Sequence, residues 1–164
     1  MARAWLLRAR RVGQEIRAAR CGARRNVKAS RPMGKPAAKQ NDKIVSVDTH
    51  ILMVPSPGGP VPTPTPMPFN GILRSALSPD VMIENVAAAT KGSVADNTPP
   101  HLPTAGPFQS PPSNKATIKD GSSTVMINNK PAAHLGDPAD TCNDPPDQPN
   151  GKVIGTAATV LERD

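Results

Sequence analysis

At 164 residues, with 21 Pro and 12 Gly, the chain suits one domain and leaves little room for long helices. Ile, Leu, Val and Phe supply only 30 residues and Tyr is absent, so burial alone gives a thin core, and a metal staple or an oligomeric partner is expected. The net charge of +7 suggests a nucleic-acid binder until it is divided by position: residues 1–32 hold ten Lys and Arg against Glu15, while residues 33–164 hold ten basic and twelve acidic residues, which excludes a basic body.

In chain order, the basic tail comes first. Its apolar run, Ala4-Trp5-Leu6-Leu7, is too short for a signal-peptide core or a membrane span, so no cleavable signal peptide is expected. Arg-rich and acid-poor, residues 1–32 read as an organellar presequence, a nucleic-acid arm, or sequence upstream of a start at Met33. The start at Met33 is favoured, because the repeats begin just after it, and residues 33–164 then form the domain. Cys21 lies in the tail and Cys142 in the body, which argues against a disulfide framework.

The body is built on an internal repeat. Ser78-Pro79-Asp80-Val81-Met82-Ile83-Glu84-Asn85-Val86-Ala87-Ala88-Ala89-Thr90-Lys91-Gly92-Ser93 runs parallel to Ser122-Ser123-Thr124-Val125-Met126-Ile127-Asn128-Asn129-Lys130-Pro131-Ala132-Ala133-His134-Leu135-Gly136-Asp137. A third copy is divided between the two ends. Lys35-Pro36-Ala37-Ala38-Lys39-Gln40-Asn41-Asp42 supplies its second half, and a stretch beginning at Thr156 and reaching Val160-Leu161 supplies its first. A divided repeat implies a ring whose last strand pairs with its first, leaving no open edge between the ends. Each copy reads as a β unit, a Val/Met/Ile run followed by an Asn-centred turn such as Asn128-Asn129. Further turns and strand starts are expected at Asn70-Gly71, Asn114-Lys115 and Asn150-Gly151, and the Pro-rich stretch Val54 to Pro68 is expected to be an extended surface loop. The fold class is all-β: a short three-repeat structure with pseudo-threefold symmetry and Pro-rich loops.

His50 follows Asp42 by eight residues, His101 follows Ser93 by eight, and Cys142 follows Asp137 by five. Equivalent positions of a threefold ring converge on its axis, so two imidazoles and a thiolate are expected to meet there. His134 is the remaining histidine; its repeat equivalents are Lys39 and Thr90, and it breaks the symmetry as a single fourth ligand must. His50, His101, His134 and Cys142 would give Zn2+ its closed tetrahedral site, and ligand softness favours zinc over iron. Asp48, two residues before His50, reads as an outer partner of that ring or as a turn residue. No HExxH, phosphate loop or nucleophile elbow occurs, so the protein is expected not to be an enzyme.

Lys130-Pro131-Ala132-Ala133-His134-Leu135-Gly136-Asp137, preceded by Val125-Met126-Ile127-Asn128-Asn129, resembles the Pro-Ala-Ala-Arg signature of PAAR proteins, with His134 in place of the arginine. The resemblance covers about 130 residues and is carried chiefly by the repeats; the stretch Val54 to Pro64 also resembles the Pro-rich front of PAAR-like variants of type VI secretion and extracellular contractile systems. It implies a short cone that binds zinc near its vertex through three His and one Cys. The base of that cone sits on a trimeric β-helical spike protein, one tip per trimer. The function implied is a non-enzymatic tip that sharpens the spike of a bacterial contractile injection system, assembled in the cytoplasm and delivered outside the cell, touching the target membrane transiently and carrying effector cargo in some members. A small zinc-dependent hydrolase is the enzymatic alternative. Nucleic-acid or membrane-surface binding through the tail is the other, although Trp5 is its only aromatic and no nucleic-acid partner is expected of the body.

Overall fold

The computed structural model describes residues 34–144 and 146–162. The expectations placed on the tail, on Cys21 and on a start at Met33 lie outside the described residues. Every regular element among the described residues is a β-strand, as the repeats predict.

The three repeats build the first layer. Strand β1 (Lys35–Pro36) pairs with β12 (Leu161–Glu162), β4 (Met82–Ile83) with β5 (Val86–Ala87), and β8 (Met126–Ile127) with β9 (Lys130–Pro131). The divided repeat therefore closes. Its first half begins at Ala157, one residue later than the match at Thr156. The amide of Ala157 donates to Ala37 O as Ser78 donates to Ala88 O and Ser122 to Ala132 O. In the two continuous copies the turn residues Glu84-Asn85 and Asn128-Asn129 all have positive φ, the type I′ geometry whose twist matches that of paired strands.

The Pro-Ala-Ala motif makes the axis. Ala38 N donates to Ala133 O at 2.7 Å, Ala133 N to Ala89 O at 3.0 Å, and Ala89 N to Ala38 O at 3.0 Å, a cycle of three backbone bonds. A second cycle surrounds it: Gln40 N to Ala87 O, Lys91 N to Pro131 O, and Leu135 N to Pro36 O. The first alanine of each pair (Ala37, Ala88, Ala132) packs with Ile83, Ile127 and Ala157. The second (Ala38, Ala89, Ala133) packs on the other side, with Ile44, Phe69, Leu73, Ile118 and Val153. All six alanines are fully buried.

The second layer is a closed barrel in the order β10 (Pro138–Thr141), β11 (Gln148–Ile154), β2 (Lys43–Val54), β3 (Val61–Ser75), β6 (Val94–Asn97), β7 (Lys115–Ile118). Strands β2, β6 and β10 each leave the alanine ring directly after Asp42, Ser93 or Asp137. They alternate with β3, β7 and β11. Two expectations are corrected. The Pro-rich stretch is a loop only around Pro55–Pro60; from Val61 onward it is β3, paired residue by residue with β2. Pro62, Pro64, Pro66 and Pro68 occupy alternate positions and are exposed, which leaves Thr65, Met67 and Phe69 on the inward face and places the missing amides where no neighbouring strand needs them. Asn70-Gly71 and Asn150-Gly151 are not turns but lie within β3 and β11. A Cβ on Gly71 would stand 3.0 Å from the Ala95 Cβ, and one on Gly151 would stand 2.9 Å from Ala139 O, so these glycines serve close strand approach.

The alanine ring has no room for a larger side chain. Ala89→Val is expected to destabilise the fold by about 1 to 3 kcal/mol through overpacking, whereas Ala158→Val, on an exposed residue, stays within about 0.5 kcal/mol. Thermal melting of the two variants against the parent protein measures the difference.

Candidate metal centre

The three strands that leave the ring carry their chemistry to the far end of the barrel. On β2, residues alternate between inside and outside, so Ile44, Asp48, His50 and Leu52 all point inward. His101 lies in the connection between β6 and β7, its amide donating to Asn114 Oδ1 at 2.7 Å. Cys142 follows β10 directly. Their donor atoms converge: one from each of Asp48, His50, His101 and Cys142 lies within 4.8 Å of the others, and all four residues are buried.

Three of the four residues expected from the sequence thus come together, and His134 does not. It sits in the alanine layer, where Ala37 bridges to it, with its Nδ1 2.7 Å from Asp137 Oδ1 and its amide donating to Asp137 Oδ2 at 2.8 Å. The repeat explains this. Lys39 makes the same pair of contacts to Asp42, and the Thr90 amide bonds Ser93 Oγ, so His134 holds the local turn of its own copy. The fourth member of the converging group is Asp48, which stands two residues from His50 on the same face of β2. That i, i+2 spacing was the available sequence signal.

Hydrogen bonds set the donor atoms. His101 Nε2 lies 3.2 Å from Pro68 O, which can only accept, so in the neutral ring Nε2 carries the proton and Nδ1 is bare. His50 Nε2 is 2.8 Å and Cys142 Sγ 3.9 Å from that Nδ1. Asp48 Oδ1 accepts from Thr141 Oγ1 at 2.6 Å and from Asn143 Nδ2 at 3.3 Å, while Oδ2 receives only the Cys142 thiol, at 3.4 Å. Phe69 stands edge-on to His101 and Phe108 edge-on to His50, so the chain's two phenylalanines border the group.

Without a cation, His50 and Cys142 resist ionisation. Burial and the Asp48 carboxylate push the Cys142 thiol up to about 12. Burial, then the neighbouring His101, lowers the pKa of His50 against the opposing pull of Asp48 and Asp144. A bound divalent cation reverses that logic, because its two charges balance one carboxylate and one thiolate and the imidazoles supply neutral donors. His50 Nδ1 is also buried without a hydrogen-bond partner, as expected where a ring's surroundings are completed by something other than protein. Two nitrogens, a sulfur and an oxygen in a buried cluster can hold a metal ion.

A family model described as the PAAR motif matches residues 53–142, more than half of the chain. No curated protein matches it.

Two outcomes follow from this geometry. The purified protein is expected to hold one divalent cation per chain. Ala substitution at Asp48, His50, His101 or Cys142 is expected to lower cation affinity at least tenfold, whereas His134→Gln leaves it unchanged; competition against a metal-sensitive dye measures each. The chelated protein is expected to be most stable between the ordinary values of 6.5 and 9.0 for the two shifted groups. The lowered pKa of His50 stabilises the fold above 6.5, and that contribution is lost as pH falls below it. The raised pKa of Cys142 stabilises below 9.0, and that contribution is lost as pH rises toward about 12. Each limb changes by at most about 1.4 kcal/mol per pH unit, read from denaturant midpoints across pH.

Proposed function

The chain belongs to the PAAR-motif family, whose members are spike tips of contractile injection systems, and from that premise we propose that it caps a trimeric spike through the face formed by its three strand pairs. The observation that supports this is the match between face and partner. Met82, Met126 and Leu161 hold equivalent positions, paired with Ala87, Pro131 and Pro36, and are 60%, 56% and 39% exposed. Val81 and Val160 add further exposed apolar surface, around a depression lined by Ile83, Val125 and Ile127. Isolated exposed hydrophobics are ordinary, but three at equivalent positions on one pseudo-threefold face form a patch that a threefold partner covers at once. A single chain with three similar edges satisfies the blunt end of a three-chain β-helix, whose strand edges would otherwise stay open.

In this reading Asp48, His50, His101 and Cys142 hold a structural zinc at the opposite end, where the metal supplies rigidity and takes no part in a reaction. Structural zinc contributes roughly 10 to 16 kcal/mol to folding in small metal domains, and the thin aliphatic core here gives that contribution a clear use. The protein acts as a non-enzymatic tip, assembled with the particle in the bacterial cytoplasm and leaving the cell with it. Effector cargo would travel on the same particle.

A complex purified with the particle's trimeric spike is expected to contain one chain of this protein per three spike chains. The double variant Met82→Asp, Met126→Asp is expected to keep its bound cation and lose the spike by at least tenfold in affinity. Three copies per trimer, or full binding by the double variant, would refute the proposed face.

A further inference from the structure

The two carboxylate oxygens of Asp48 stand in different surroundings. Oδ1 accepts from Thr141 Oγ1 at 2.6 Å and from Asn143 Nδ2 at 3.3 Å, so both of its lone pairs are engaged, while Oδ2 faces Cys142 Sγ at 3.4 Å. The direction of each bond is forced. The Thr49 amide can only donate, and its bond to Asn143 Oδ1 at 3.0 Å fixes which end of the Asn143 amide is the acceptor. Asn143 Nδ2 therefore donates, to Thr141 Oγ1 at 3.0 Å as well as to Asp48, and the single hydroxyl hydrogen of Thr141 is left for Asp48 Oδ1.

Packing holds this chain of donors in place. Thr141 and Asn143 are both buried, and the Thr141 methyl is seated against Gly151, where a Cβ would stand 2.8 Å from Thr141 Cγ2. The repeat itself does not require the arrangement. Asn97 follows Ser93 by four residues as Thr141 follows Asp137, yet its Oδ1 accepts from the Asn70 amide at 2.9 Å instead.

We propose that Thr141 and Asn143 are positioning residues that present Asp48 to a cation through Oδ2 alone, and that they thereby favour zinc over cations that seek more oxygen. A carboxylate free at both oxygens can bind a metal through either or both. With Oδ1 occupied, each of Asp48, His50, His101 and Cys142 has one donor to give, which matches the four ligands zinc takes in closed sites. Manganese and other hard cations prefer about six ligands, mostly oxygen, and the bonds from Thr141 and Asn143 withhold the nearest spare one.

The inference rests on the cation reading of the cluster, and the test separates the two. In the full chain, zinc competition against a chelating dye is expected to show Thr141→Val binding about 10 to 100-fold more weakly than the parent. Thr141→Ser, which returns the hydroxyl, should recover most of that loss. The ratio of zinc to manganese affinity should fall by about tenfold or more in Thr141→Val, and the visible spectrum of the cobalt-loaded protein should lose the intensity of a four-coordinate ion as Oδ1 is released. Asn143→Ala, which frees the hydroxyl to rotate, should move the ratio and the spectrum in the same direction, and it carries the test if Thr141→Val does not fold. Unchanged zinc affinity in Thr141→Val overturns the proposal and leaves the metal centre standing. So does a loss of affinity with the metal ratio and the cobalt spectrum unmoved, which would make Thr141 a packing residue only, and so does a Thr141→Ser protein as weak as Thr141→Val. A parent protein that binds no zinc overturns both readings.

Discussion

The cycle of hydrogen bonds joining Ala38, Ala133 and Ala89 is the constraint on which the rest of the molecule depends. Three backbones approach one axis closely enough to bond each other only if no side chain larger than methyl stands between them. The Pro-Ala-Ala half of each copy meets that requirement with two buried alanines, one packing into each layer. Once the cycle closes, Asp42, Ser93 and Asp137 stand at equivalent places, and β2, β6 and β10 leave the ring in parallel register. Left-handed residues at Asn41, Gly92 and Gly136 turn the chain at the same point in every copy. Symmetry here is a consequence of backbone bonding, which is why the side chains in the outer positions vary freely.

Beyond the ring the copies diverge, and the barrel absorbs the divergence. The first copy extends into the long β2–β3 hairpin, whereas the second and third return through shorter strands and irregular connections. The outer edge of β3 would invite pairing with another chain along most of its length, and alternate prolines remove the donors such pairing needs. The inner edge keeps every amide that β2 uses. The Pro68 carbonyl, left free on that outer edge, accepts from His101 and fixes which nitrogen faces the metal group. One feature of strand chemistry therefore guards an edge and orients a ligand.

How much of this could be read from the sequence follows from which signals are backbone-wide and which are single contacts. The repeats, the closure of the divided copy and the convergence of His50, His101 and Cys142 all follow from periodicity, and periodicity survives substitution. The strand at Val61–Ser75 was hidden because proline density argues for a loop unless the edge position and the two-residue spacing of the prolines are both considered. Asp48 was visible only as a neighbour of His50, since its role depends on Thr141 and Asn143 arriving from another repeat to hold one oxygen while the other faces the thiol. The placement of His134 was hidden for the opposite reason. A histidine at the one asymmetric position of a motif looks like a ligand, yet the motif position is occupied by Lys39 in the first copy, where it serves Asp42 in the same way.

The two ends of the domain obey different rules, and the difference accounts for how one chain can be both symmetric and specific. The face formed by the three strand pairs repeats itself, with Met82, Met126 and Leu161 exposed at equivalent positions. The cluster that can hold a metal ion does not repeat, because a cation needs a sum of charges and a closed set of donors. The β6–β7 connection supplies His101, the residue after β10 supplies Cys142 and β2 supplies Asp48 and His50 together, so that one carboxylate and one thiolate would balance a divalent ion. Burial, joined by the same carboxylate, pushes the Cys142 thiol up to about 12 when the ion is absent. A buried thiol raised in this way is a poor nucleophile and resists oxidation.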